Sequence, residues 1–203
     1  MAGKEPIPKF ASEEEKLAVA YDEWKKVAVD VVEVGAGTGL FSVELASRHP
    51  KKQFVAIDVK GDRLQKGAYE AEARGLTNIR FVRARADQLG EVIKQRSVEQ
   101  LWVTFPDPFP KKRSAGRRLT HPTFLYTYTK VLKKKGALYL KHDNRDFFCW
   151  SLEQLVACKW QLLELSFDLH DSDLSDDYKI KTTYEIRWLS EGSVTNFVKV
   201  ERP

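Results

Sequence analysis

Short apolar runs alternate along this chain with longer segments of helical spacing. The runs are four to six residues long, rich in Val, Ile, Leu and Phe, and bounded by turn-forming residues, the pattern of buried strands. It predicts strands over 29–34, 54–58, 79–83, 101–105 and 137–141. Between them, apolar residues recurring every three or four positions predict helices over 40–48, 62–74, 88–95, 122–132 and 146–157. A further helix is expected over 12–26, where Ser12 and Glu15 make an S-x-x-E capping box and Lys25 and Lys26 suit the negative C-terminal end. Strands alternating with helices need crossover connections, hence a parallel sheet covered on both faces. The last third departs from that rule. Segments 160–167 and 184–189, the latter paired with 196–200, read as strands with no long helix between them, which predicts an antiparallel edge hairpin. No repeat, linker or shift in composition divides the 203 residues, so one domain is expected, with an arm and helix at 1–28 and the core at 29–203.

Composition narrows the function classes. Hydrophobic residues make up 42% and charged residues 31%, and no apolar run nears the roughly 20 residues needed to cross a bilayer, so no membrane partner is expected. The opening MAGKEPIPKF has no apolar signal core. Cys149 and Cys158 make neither a disulfide framework nor a CxxC site, and the expected setting is the reducing cytoplasm. His49, His121, His142 and His170 show no HxH or HxxxH spacing, so no metal is expected. The acidic run HDSDLSDD lacks the central glycine and final acid of a calcium loop and reads as a surface loop. A net charge of +5 permits a polyanionic partner without requiring one.

The first strand runs into VEVGAGTGL, which places Gly35, Gly37 and Gly39 in the turn feeding the first crossover helix. Glycines there let the backbone turn sharply and approach a ligand, while the free N–H groups of the helix start attract polar atoms. Glu33 precedes the turn, Asp58 ends the second strand, and Asp87 follows the third, so all three carboxylates fall at carboxyl ends of parallel strands. Open α/β sheets bind ligands at that edge, and Asp58 is placed to accept both ribose hydroxyls of an adenosine. Asp87 fits either a helix N-cap or an adenine amino group. Glu33 fits an ion-paired structural role, but a carboxylate at the end of a buried parallel strand calls for a partner, and a cationic ligand group is one. No GxxxxGK[ST] phosphate loop is present. S-adenosylmethionine satisfies these positions, with its adenosine at Asp58 and Asp87 and its amino-acid end near Gly35 and Glu33. NAD would use the same features, and Tyr126 with Lys130 even forms the Y-x-x-x-K pair of some dehydrogenases. That pair arises readily by chance, and the glycine spacing is not theirs. Tyr126 and Tyr128 are therefore read as packing residues and Lys130 as solvated.

The fourth strand delivers FPDPFPKKRSAGRRL to the same edge. Its prolines fix backbone direction around Asp107, and Lys111, Lys112, Arg113, Arg117 and Arg118 make a basic patch suited to nucleic-acid phosphates. This stretch closely resembles the FPDPW-x-KKRH-x-KRR signature of bacterial tRNA (guanine-N7)-methyltransferases. VEVGAGTG, AIDV and RARADQ match that family in order, LKHDNRDF resembles its TDW segment, and TTYE at 182–185 its TKFE motif. The resemblance implies a class I methyltransferase fold: Rossmann-like α/β, a mostly parallel sheet with an antiparallel C-terminal edge strand. It also implies S-adenosylmethionine as methyl donor and guanosine 46 of the tRNA variable loop as acceptor. Carried over by position, Glu33, Asp58, Asp87 and Asp107 are cofactor residues alongside the three glycines, and Asp107 is also the active-site residue. Lys111, Asp143, Thr182, Thr183, Tyr184 and Glu185 contact substrate. The chain departs from the signature at Phe109, Pro110, Ser114, Asn144 and Thr183, the last standing where the family has lysine. A non-catalytic RNA-binding module is the remaining alternative, against which the strand-end acids weigh, because they would repel RNA. Monomer and homodimer are both compatible with the sequence.

Overall fold

In a computed structural model, which describes residues 28–203, β1 (Val31–Val34) is buried along its whole length. It pairs in parallel with β2 (Phe54–Asp58) on one side and with β4 (Val98–Thr104) on the other. Outward from β2 lies β3 (Ile79–Arg83), also parallel, and outward from β4 lies β5 (Leu132–His142). Two antiparallel strands complete the sheet, β7 (Asn196–Glu201) against β5 and β6 (Gln161–Ser166) against β7, so the order is β3-β2-β1-β4-β5-β7-β6. The helix expected over 12–26 lies outside the described residues.

Alternation of side chains along each strand builds two cores from one sheet. Val32, Val34, Leu101, Val103, Leu138 and Leu140 face one layer, packed by α4 (Pro122–Val131) and α5 (Arg145–Ala157) through Leu125, Tyr128, Phe147, Phe148 and Leu155. Val31, Trp102, Tyr139 and Phe197 face the other, under Phe41 and Leu45 of α1 (Leu40–Arg48) and Ala71 of α2 (Gly61–Ala73). Trp102 stacks on Tyr139 at 4.3 Å between ring centroids, and Tyr178 stacks on Phe197 at 4.7 Å. Each such pair adds about 1 kcal/mol beyond the area it buries.

The chain leaves β1 toward β2 and β3, then returns to place β4 on the other side of β1. That reversal opens a crevice at the carboxyl ends of β1 and β4, where open α/β sheets receive ligands.

Three sequence expectations are corrected. Segment 184–189 is no strand: it lies in α6 (Thr183–Ser190), and β7 finds its partners in β5 and β6 instead. Thr182 Oγ1 accepts the Glu185 N–H while the Glu185 side chain accepts the Thr182 N–H, a capping box that starts a helix where alternating Tyr, Ile and Trp imitate a strand. The segment over 88–95 is a 3-10 turn, Ala86–Gln88, and a single helical turn, α3 (Leu89–Val92). Tyr126 is 65% exposed beneath the Lys130 ammonium, whereas Tyr128 is buried and donates to the Leu119 carbonyl at 3.0 Å. The acidic run after His170 is tied down, with Asp177 paired to His49 at 2.7 Å and Arg48 at 3.3 Å.

Candidate active site

The glycine turn is held open by its neighbours on β2. Gly35 and Ala36 donate their N–H groups to the Ile57 carbonyl at 2.9 Å, and Gly37 N–H donates to Asp58 Oδ2 at 2.8 Å. Asp58 Oδ1 accepts the Lys60 N–H at 2.8 Å, so this carboxylate ties the turn to the start of α2 while keeping unused lone pairs for a ligand. Gly37 has φ +56°, and a Cβ there would meet nothing within 4 Å, which marks open space over the turn. At Gly39, with φ +70°, a Cβ would lie 2.8 Å from the Phe81 ring.

Glu33 does not reach that space. It is 1% exposed, and its two oxygens accept from Ser42 Oγ at 2.5 Å and Thr104 Oγ1 at 2.6 Å. Burial pushes its carboxyl up to about 7, against the pull of those hydroxyls and of Lys141. Asp87 lies inside the 3-10 turn after β3 rather than at its cap. It is clasped by Arg85 at 3.0 and 2.8 Å, which holds its carboxyl below the usual range.

Asp107 follows β4 on an exposed loop. Phe105 and Phe109, which bracket this loop, have φ of +47° and +41°, left-handed values that side chains disfavour. Beyond it, Lys111, Lys112, Arg113 and Arg117 are exposed along the 3-10 segment Lys112–Arg117, and the Arg117 guanidinium covers the Phe109 ring at 4.3 Å. Arg118 turns inward instead. It is 9% exposed, lies 4.3 Å over the Trp150 ring, and donates to the Pro108 and Phe109 carbonyls.

The last sequence-predicted segment is joined to this edge through buried charge. Lys141 at the end of β5 donates to Glu185 Oε2 at 2.8 Å and to the Ile180 carbonyl at 2.7 Å, with both side chains fully buried. Burial draws the ammonium below its ordinary pKa, and the facing Glu185 and Glu33 resist that shift. Glu185 Oε1 accepts from Thr195 Oγ1 at 3.1 Å and meets His170 Nε2 at 2.8 Å. Glu185 is thus a pin inside the fold, while Thr183 and Tyr184 face outward, the Tyr184 ring 6.4 Å from that of Phe105. Asp143 follows β5, its Oδ1 3.0 Å from His142 Nδ1, and Asn196 Nδ2 donates to the His142 and Asp143 carbonyls.

Sequence reasoning missed Lys141, His142 and Trp150. The one signal was a lysine within an otherwise apolar strand, which in a sheet covered on both faces must find a buried partner. Among the described residues no group of three or more His, Cys, Asp or Glu could hold a metal ion, and no helix is long and apolar enough to cross a membrane.

A Rossmann-like sheet ordered β3-β2-β1-β4-β5-β7-β6, with a glycine turn after β1, has the class I methyltransferase fold. Solved structures agree on the fold. The 16S rRNA methyltransferase KamB superposes with a TM-score of 0.67 at 16% identity, over 98% of this chain and 97% of that one. A 16S rRNA (adenine(1408)-N(1))-methyltransferase with cosubstrate SAM from Catenulisporales acidiphilia gives a TM-score of 0.61 at 16% identity, over 89% and 90% of the two chains. A family model described as "Putative methyltransferase" matches residues 27–197. Among curated relatives, the tRNA (guanine-N(7)-)-methyltransferase of Brevibacillus brevis is 38% identical over 79% of this chain and 75% of its own length. That of Cytophaga hutchinsonii is 35% identical over 84% and 79%. The chain belongs to the tRNA (guanine-N7)-methyltransferase family.

Proposed function

We propose that the carboxyl edge of the sheet binds S-adenosylmethionine across the β1/β4 switch point and presents it to a guanine of tRNA. The chain transfers a methyl group to guanine N7 in tRNA, as its family membership states. The observation that carries the site assignment is convergence. Glu33, Asp58, Asp87, Asp107 and Asp143 come from the ends of five parallel strands, and Lys141 ties the 182–185 segment to the same edge.

The residues fit the cofactor. Gly37 leaves room for close approach of a ligand to the turn, and Asp58 retains acceptor capacity for ribose hydroxyls. Asp87 stands beyond β3 as an exposed acceptor for an adenine amino group. Glu33, enclosed below the turn, serves the cofactor site by bracing Ser42 and Thr104 beneath it rather than by open contact. When bound, S-adenosylmethionine supplies an electrophilic methyl group.

Guanine N7 carries a free lone pair and loses no proton on methylation, so the chain needs no general base. Its residues must orient the purine, which by itself can lower the barrier by about 7 kcal/mol or more. Asp107 is assigned to orient the reacting groups and to offset the positive charge that moves onto the purine ring. Asp143 accepts from the guanine N1–H and N2 edge. Tyr184, 58% exposed beside Phe105, offers a stacking face to a base turned out of the tRNA. Lys111, Lys112, Arg113 and Arg117 hold phosphates. The acceptor is guanosine 46 of the variable loop, the chain acts in the cytoplasm as a single domain, and a monomer or homodimer suffices.

Incubation with S-adenosylmethionine and tRNA should yield 7-methylguanosine by mass spectrometry, mapped to position 46. A folded, cofactor-binding protein that yields none on any tRNA sinks this reading, and an Asp107→Ala variant with full turnover removes the site assignment alone. A nicotinamide enzyme would instead show thermal stabilisation by NADH and not by S-adenosylmethionine.

A further inference from the structure

The loop that carries Asp107 is strained and cannot hold itself. Prolines at 106, 108 and 110 remove three backbone N–H donors from five consecutive residues, while Phe105 and Phe109 sit in left-handed conformations. The loop's carbonyls must therefore be held by donors from elsewhere. Two side chains provide them. His142 Nε2–H donates to the Pro106 carbonyl at 2.9 Å, and the ring is held from its other side, where Nδ1 lies 2.8 Å from the Asn144 nitrogen and 3.0 Å from Asp143 Oδ1. Arg118 donates through Nε to the Pro108 carbonyl at 3.0 Å and through Nη2 to the Phe109 carbonyl at 3.1 Å. The Trp150 ring beneath the guanidinium sets its plane. Both donors are nearly enclosed, and the carbonyls they hold flank Asp107 along the chain, Pro106 before it and Pro108 and Phe109 after it.

We propose that Arg118 and His142 are positioning residues that hold the Asp107 loop from its two sides, and that Arg118, unlike its basic neighbours, is not a phosphate contact. The proposal rests on Asp107 being the active-site carboxylate. Arg118 also ends the basic 3-10 segment, its N–H donating to the Ala115 carbonyl at 3.1 Å. One residue thereby links the surface that meets tRNA to the loop that meets the reacting base. Lysine cannot replace it, because an ammonium neither spans two carbonyls in one plane nor lies flat on an indole.

The test compares Arg118→Lys, His142→Ala, His142→Gln and Arg113→Ala with the unaltered protein. It reads the single-turnover rate of 7-methylguanosine formation at saturating tRNA and S-adenosylmethionine, tRNA affinity against salt, and melting temperature. Arg118→Lys and His142→Ala should lower the saturating rate about ten- to hundredfold, with tRNA affinity and its salt dependence within about twofold of the original. His142→Gln, whose amide can still donate to the Pro106 carbonyl, should recover most of the rate. Arg113→Ala should instead weaken tRNA binding and reduce the salt slope by about one. An Arg118→Lys variant that loses affinity and salt slope at an unchanged saturating rate overturns the proposal, because it makes Arg118 a phosphate contact. So does a His142→Gln variant as slow as His142→Ala at a normal melting temperature. Failure of the underlying reading is separate: it shows as Asp107→Asn turning over at the full rate in the same assay.

Discussion

Two residues at the glycine turn separate ligand binding from stability. Gly37→Ala should fold, since a Cβ meets nothing within 4 Å, but its methyl group enters the space a ligand would approach. We expect a stability loss of about 1 kcal/mol from the left-handed backbone and at least a tenfold loss of S-adenosylmethionine affinity by calorimetry. Glu33 predicts a pH effect. Its folded-state carboxyl, raised to about 7 from 4.5 by burial, takes up a proton on folding. The contribution of the neutral form is full below pH 4.5 and is lost as pH climbs to and through 7, a total loss of about 3 kcal/mol. Glu33→Gln, neutral at every pH, should flatten the fall in stability between pH 4.5 and 7 in urea titrations and be the more stable of the two at pH 8. Asp58, Asp87, Asp107 and the glycines were legible as a set because strand ends and turns mark themselves in sequence. Arg118 was not: it stands in a run of basic residues, and only its burial against Trp150 and its bonds to the Pro108 and Phe109 carbonyls distinguish it from Arg117.

α6 shows how one element can be misread and still be the right place to look. Tyr184, Ile186 and Trp188 alternate with Glu185, Arg187 and Leu189 in the manner of a strand, yet Tyr184 and Ile186 are exposed and Glu185 is buried. The helix is anchored by its capping box and by Lys141 instead of by an apolar stripe. Removal of one partner of a buried ion pair strands the other. Lys141→Met and Glu185→Leu should each cost about 3–5 kcal/mol in urea unfolding, and the double variant should cost clearly less than the two together. Thr182→Ala, which removes only the cap, should cost about 1 kcal/mol. Among the described residues, the five parallel strands and helices α1, α2, α4 and α5 were legible to within about five residues, because burial on both sheet faces makes the strands continuous apolar runs and crossover helices keep their period.

Across the whole molecule, charge and sheet topology divide the work. The net charge of +5 is unremarkable, but Lys111, Lys112, Arg113 and Arg117 concentrate exposed cations beside the carboxyl edge. Replacing all four with alanine should lower the salt slope of tRNA binding by about three to four and leave S-adenosylmethionine affinity unchanged. Amino-acid order alone established the alternating α/β architecture, the glycine turn, the acids at successive strand ends and the proline-basic loop, because each depends on neighbours within a few residues. It could not establish which carboxylates face a ligand and which are enclosed. Glu33 lies in β1 and is bound by Ser42 of α1 and Thr104 of β4; Glu185 lies in α6 and is bound by Lys141 of β5. These partners stand 9 to 71 residues away along the chain. Whether a charge serves chemistry or holds the fold depends on what surrounds it, and only the packing of distant segments supplies those surroundings.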